Sequence, residues 1–283
     1  MTSNKIKGNP VQKVISYLLA ILLLLLVLIP FITALVSSFK TADDFYGNSY
    51  TLWPSDWRIE NYLDAWNFAA FGTFLKNSIV CAVVVTICST IISSFAAFGF
   101  ARLHFFGRDV IFYIFIMTQG IPFVVLFIPT YLLMNNLGLV NTLAGLILPL
   151  ISFPMGTFLM RQTMLSIPID YEYAAMIDGC NRFQMFFKVF LPMVNNTVMA
   201  LAIFTFMGSW NNYIWPLVII SDQKLYTLPI GLTLYTVQSS MGRRPEWSVI
   251  MAAALLSVLP IMIVYCFASR RFMEGIALGG LKA

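Results

Sequence analysis

The chain has 283 residues, 59% of them hydrophobic and 10% charged, with a mean hydropathy of +0.83 and a formal net charge of +5. Soluble domains carry roughly 25% charged residues, so composition excludes a water-facing globule and leaves no room for a sizeable soluble domain. The basic residues form no cluster or stripe, which removes nucleic acid as a partner.

The first apolar run follows Lys5, Lys7 and Lys13 and continues from Val14 to about Val36. It outruns the roughly 7–15 residues of a cleavable signal core, so it is expected to remain as a helix. A crossing needs about 20 mostly apolar residues. The sequence predicts six of them, at about 14–38, 77–101, 111–134, 142–160, 195–220 and 248–269, in one all-α polytopic domain covering 1–283. Between the first two, Lys40 to Lys76 is rich in Tyr46, Tyr50, Trp53, Trp57, Tyr62 and Trp66. Such rings favour the headgroup level, and a helix lying on the membrane surface is expected near 58–70.

Gly120, Pro122 and Pro129 in the third span, and Pro149, Pro154 and Gly156 in the fourth, predict bends. Two readings stand: bends that line an internal path, or ordinary kinks. The stretch Ser221–Trp247, with Tyr226, Tyr235, Arg243, Arg244 and Trp247, lies on the side opposite the termini, and two readings stand: a loop that meets a partner, or a solvated hairpin. Lysine and arginine divide eleven against six between the two sides, which places both termini in the cytoplasm. Cys81, Cys88, Cys180 and Cys266 show no paired or metal-ligand spacing, and Cys81 and Cys88, seven apart on one apolar helix, read as small packing residues.

The energy source is narrowed by what the spans lack. None carries Asp, Glu, Lys, Arg or His near its centre, which argues against proton coupling and voltage sensing. Gly275 and Gly280 have phosphate-loop separation, but Leu281 stands where the lysine is required. The single histidine, His104, sits in a short loop beside Arg102 and Arg108, and no HExxH or GxSxG occurs. No catalytic or metal site is therefore expected, and no cofactor. Either a partner supplies energy, or the chain is a passive channel or a membrane anchor.

The longest cytoplasmic loop, about 161–194, reads as helix, turn, helix. Pro168 and Asp170 start the first helix, and Gly179 suits the left-handed position that ends it. The second helix is expected from about Arg182 to Phe190, stopping before Pro192. Ala174 and Ala175 permit close approach of another surface. Phe183, Phe186, Phe187 and Phe190 form an apolar face that either docks a partner or packs back on the membrane domain. In the fifth span Trp210, Asn211, Asn212, Tyr213 and Trp215 combine aromatic faces with amides, the pairing that sugar sites use. Helix glue is the plain alternative there, and Gln119 is a further candidate in the bent third span.

The run Glu172-Tyr-Ala-Ala-Met-Ile-Asp178-Gly179, ending in Leu191-Pro192, resembles the EAA motif of binding-protein-dependent ABC import permeases. The residue between Glu172 and Ala174 is usual in the carbohydrate branch. Glu60-Asn61-Tyr62, Phe74-Leu75-Lys76-Asn77-Ser78, Trp210 to Pro216, and Arg271-Phe272-Met273-Glu274-Gly275 with Gly279-Gly280 carry the likeness along nearly the whole chain. The resemblance implies the type I ABC importer permease fold, in a bacterial inner membrane, as the smaller permease of a maltose-type system. It implies a second permease, two ATPase subunits that use ATP and magnesium, and an external sugar-binding protein that delivers a carbohydrate. By the same likeness Glu172, Ala174, Ala175, Asp178, Gly179 and Phe187 are coupling residues, with Glu172 offering its charge to the ATPase.

Overall fold

In the computed structural model the described residues are 10–47, 51–67, 70–240 and 246–280, with side chains described for 12–47, 51–67, 70–237 and 246–266. Lys5, Lys7, Tyr50, Arg243, Arg244 and Lys282 lie outside the described residues. So do the side chains of the 271–280 motif. Among the described residues there is no strand. The helices are α1 Pro10–Ser37, α2 Ala42–Tyr46, α3 Glu60–Asn67, α4 Phe71–Arg102, α5 Arg108–Met117, α6 Phe123–Asn136, α7 Leu143–Ile147 and α8 Pro154–Leu165. They continue as α9 Asp170–Ile177, α10 Arg182–Met185, α11 Leu191–Met193, α12 Asn195–Trp210, α13 Ile214–Ile219, α14 Leu228–Ser240 and α15 Trp247–Gly280.

Among the described residues, three helical stretches are long and apolar enough to cross a membrane unbroken: Gln12–Ser37, Phe71–Arg102 and Trp247–Cys266. Three bent pairs satisfy the same test together and bring the count to six if each is one span. Arg108–Gly120 and Phe123–Asn136 meet at 103°, Leu143–Leu150 and Pro154–Leu165 at 42°, and Arg182–Met193 and Asn195–Trp210 at 80°. The sharpest break has a local cause. Pro122 lacks an N–H and forces Ile121 into an extended conformation, φ −83° and ψ 116°. Pro129, by contrast, sits inside α6 without ending it. Pro154 opens α8, where a missing N–H costs nothing.

The backbone divides into two compact units, Met1–Phe68 with Tyr235–Leu256, and Ala69–Leu234 with Ser257–Ala283. In the first, the apolar side chains of α1 are exposed along its length, as a lipid-facing helix requires. The Glu60-Asn61-Tyr62 motif pins the segment that follows α1. Asn61 Nδ2 donates to the carbonyls of Ser38 (2.8 Å) and Lys40 (3.0 Å), and the Tyr62 hydroxyl lies 2.8 Å from Ser38 Oγ. The predicted surface helix is α3, while Trp53, Trp57 and Trp66 stay exposed.

Asp44 closes α2 with a capping box to Thr41 and accepts from the Ser55 N–H at 3.2 Å. Burial alone would raise this carboxyl, but the hydrogen bonds from Thr41 and Ser55 outweigh it and hold the group below the usual 3.8. A depressed carboxylate stabilises fully above its unfolded value, and that contribution disappears as pH falls through the lower folded value. Hydrogen exchange of the 41–58 peptide, corrected for intrinsic rate, should therefore be the same at pH 7 and about pH 5 and rise near pH 3. Asp44→Asn should show the raised exchange already at neutral pH. Unchanged exchange in that variant would remove Asp44 as the organiser of the segment.

The second unit is built around α4. At about 1.5 Å per residue its 32 residues span about 48 Å, well beyond the roughly 30 Å of hydrocarbon, so it projects from the membrane. Near its start Asn77 Nδ2 donates to the carbonyls of Lys224 and Tyr226, at 2.8 and 3.0 Å. Ser78 Oγ accepts from the Leu228 N–H at 2.7 Å. These contacts explain the Asn77-Ser78 pair of the sequence motif. They also lead to Leu228–Ser240, which is a helix and not the solvated hairpin that was one of the two readings of this stretch. Its apolar residues Leu228 and Ile230 are buried, which a hairpin open to water would not permit.

Candidate functional site

At the far end of α4 the chain forms the expected helix pair. The first helix, α9, closes as a left-handed cap: Gly179 has φ +77°, and the Cys180 N–H reaches back to the Ala175 carbonyl at 2.9 Å. Only glycine takes that conformation without strain. Asp178 is the C-cap residue and its side chain is exposed. The second helix starts at a capping box the sequence reading missed. Asn181 Oδ1 accepts from the Gln184 N–H at 2.9 Å, and Gln184 Oε1 accepts from the Asn181 N–H at 3.0 Å. The signal was legible as an N-cap residue followed three positions later by glutamine.

The second helix does not stop before Pro192. It passes through a π turn at Phe186–Phe190 into α11, and the chain then bends at Val194. Proline cannot donate to the carbonyl four residues back, and a widened turn absorbs that defect without ending the helix.

The four phenylalanines divide between a buried pair that packs back on the membrane domain and a more exposed pair beside it. Phe186 and Phe190 are buried in a cluster with Ala97, Phe98, Met160, Met164 and Leu201. Phe186 stacks on Phe95 at 4.5 Å and meets Phe98 at 5.3 Å, edge-on. Phe183 and Phe187, in contrast, are 70% and 51% exposed, and Ile177 is 86% exposed. The alanines divide likewise: Ala175 is buried in the cluster and Ala174 faces out.

Glu172 is turned toward the interior and is not presented on the exposed face. Its side chain is only 9% exposed and points inward, where Arg182 Nη1 approaches at 2.6 Å and Arg102 Nη1 at 3.9 Å. In this chain it is an internal counter-ion, because burial of a carboxylate demands a partner. Arg102 was read only as a loop cation. It is buried at the end of α4 and also donates to the carbonyls of Met164 and Ile167. No local pattern marks it, since its partners come from distant segments.

The fifth-span cluster is spread over a helix break. α12 ends at Trp210, Asn211 to Tyr213 bridge, and α13 begins at Ile214. Trp215 has no exposed surface; its Nε1 donates to the Gly145 carbonyl at 3.0 Å, and its ring meets Phe127 edge-on at 6.0 Å. Trp210 is buried and stacked on Phe206 at 5.7 Å. Asn212 Oδ1 accepts from the Trp215 N–H at 3.4 Å. Asn211 is exposed and Tyr213 half-buried, while Gln119 is exposed at the 103° bend. The cluster thus splits into two buried, packing indoles and three residues, Asn211, Asn212 and Tyr213, that keep exposed surface. Among the described residues no group of His, Cys, Asp or Glu could hold a metal ion.

Several apolar helices long enough to cross a membrane, with an apolar helix pair rooted on α4, define the class as a multi-pass membrane protein. The chain belongs to the family of binding-protein-dependent transport system inner membrane components, whose model matches residues 62–275. It is 33% identical to the arabinooligosaccharides transport system permease protein AraQ of Halalkalibacterium halodurans, over 89% of this chain and 90% of that protein. It is also 33% identical to the diacetylchitobiose uptake system permease protein NgcG of Streptomyces coelicolor, over 95% of this chain and 88% of that one. A solved bacterial ABC transporter involved in import of the acidic polysaccharide alginate shares its fold. The TM-score is 0.84 at 22% identity, over 96% of this chain and 100% of the other. The chain is therefore a multi-pass transport subunit rather than an enzyme, and the passive-channel and anchor readings fall away.

Proposed function

We propose that this chain is one permease of an ATP-driven importer for an oligosaccharide, working with a second permease, two ATPase subunits and an extracytoplasmic sugar-binding protein. ATP and magnesium are used by the ATPase. The 103° and 42° bends each fall within one span, the fifth span begins beyond the 80° bend, both termini lie in the cytoplasm, and the 161–194 segment faces the ATPase. Glycan-named relatives at 33% identity support the substrate class. Asn211, Tyr213 and Gln119 are the residues of this chain offered to the sugar path.

The observation that carries the coupling role is the two-faced helix pair. Its inner face is buried on α4, α8 and α12, while Ile177, Phe183 and Phe187 project outward. A rigidly backed apolar patch of this kind fits a cleft on a partner, and water penalises it when unpartnered. Ala174 and the Gly179 turn sit beside it and allow close approach, and Asp178 holds the cap.

Phe183→Asp and Ile177→Asp should each reduce recovery of the ATPase with the tagged permease at least tenfold. They should also abolish uptake of the sugars that the wild-type system carries, tested with radiolabelled arabinotriose, diacetylchitobiose and maltotriose. Wild-type ATPase recovery together with wild-type uptake would overturn the coupling assignment.

A further inference from the structure

Arg102 joins four segments at one point. It is the last residue of α4, it donates to Met164 and Ile167 carbonyls at the end of α8 (2.6 Å to Ile167), and it faces the α9 carboxylate of Glu172 at 3.9 Å. Its guanidinium also lies 4.7 Å from the centre of the Phe190 ring in the π turn. Its Nε has no hydrogen bond among the described residues, so the carbonyls and the ion pair supply its polar contacts there. A buried cation gives up such partners only at large cost.

The alternative route for force from the helix pair runs along the chain into α12, and that route contains the 80° bend at Val194. A bend can absorb displacement. The sideways route into α4 contains none: besides Arg102 it includes the Phe95–Phe186 stack and the Phe98 contacts to Phe186 and Phe190, at 4.5, 5.3 and 5.4 Å, and the edge-on contacts of Phe95 to Phe183 and Phe187.

We infer that Arg102 is the positioning residue that locks the helix pair to α4, so that motion delivered to the pair enters the membrane through α4. The inference rests on the coupling role proposed above. The pair and the end of α4 then move as one body, and uptake and ATP turnover separate when the lock is removed.

The test uses the complete transporter in proteoliposomes, with wild-type partner subunits and whichever of the three radiolabelled sugars it carries. Arg102→Gln keeps a polar group but loses the charge and the two-carbonyl fork. The expected result is at least a tenfold fall in sugar carried per ATP hydrolysed, with ATP turnover persisting and Arg102→Lys within threefold of wild type. An unchanged ratio, or uptake and turnover falling in equal proportion, overturns the inference.

A second measurement decides the matter if Arg102→Gln fails to assemble. Phe98→Cys and Phe190→Cys, whose native rings lie 5.4 Å apart inside the buried interface and away from the exposed coupling face, are joined by the small thiol cross-linker dibromobimane after Cys81, Cys88, Cys180 and Cys266 are replaced by alanine. Motion as one body predicts that more than half the uptake survives joining, whereas a tenfold loss on joining overturns it. Phe183→Asp in the same vesicles tests the coupling role alone. Wild-type transport by that variant defeats the coupling role whatever happens at Arg102.

Discussion

Glu172→Lys is expected to abolish uptake while leaving the chain inserted in the membrane. The reason is the arrangement of charge beneath the helix pair. Glu172 is shared by two arginines, of which Arg182 is half-exposed and Arg102 buried. The Arg182 contact is short, 2.6 Å, but water screens a half-exposed pair, and such pairs contribute at most about 1 kcal/mol. The buried partner dominates. Stranding a buried charge costs on the order of 3–5 kcal/mol, and a lysine at 172 adds a third cation to the site. The inner face of the helix pair should therefore detach from α4 and α8. Rapid protease cleavage within 161–194, at normal membrane abundance, is the accompanying sign. Glu172→Gln can still accept a hydrogen bond from Arg182 and should retain part of the uptake. Wild-type uptake by Glu172→Lys at normal expression would show that the carboxylate holds nothing together.

Trp215→Ala should cost stability and leave sugar recognition alone. The indole is fully buried among Cys81, Met134, Leu146 and Ile219, and it satisfies the Gly145 carbonyl. Removing a buried aromatic side chain costs about 3–5 kcal/mol through the cavity left behind. A carbonyl left without its donor adds about 1–3 kcal/mol where water cannot reach it. Purified Trp215→Ala should unfold at a clearly lower temperature in detergent, and the sugar concentration for half-maximal uptake by the surviving protein should match wild type. Asn211→Ala should do the reverse, raising half-saturation while leaving thermal unfolding unchanged. A raised half-saturation in a fully stable Trp215→Ala protein would put the indole in the sugar path instead.

These two cases show where reading the chain succeeds and where it stops. Trp215 and Asn211 stand four positions apart with equal claims on a sugar. One is a packing residue because the helix break at 211–213 turns it toward Gly145, and no residue-level pattern encodes that direction. The same holds for Ala174 and Ala175, whose opposite faces follow from how α9 rolls onto the cluster below it. The solvated-hairpin alternative for Ser221–Trp247 fell because α14 buries Leu228 and Ile230 by tertiary packing, which overrides a polar-looking stretch.

By itself the sequence determined that this is a helical membrane protein, that the helix pair turns at Gly179, and which family motif the pair carries. Each of those rests on interactions within a few residues: runs of apolar side chains, a proline without its N–H, a glycine free to take positive φ. Only the tertiary structure decided that Glu172 is paired inward, that Arg102 completes the pair, and that the outward face is Ile177, Phe183 and Phe187. Those outcomes depend on bends of 42°, 80° and 103° that bring distant segments together. A local pattern says that a bend occurs, and the packing of the bent segments sets its angle and the partners it delivers.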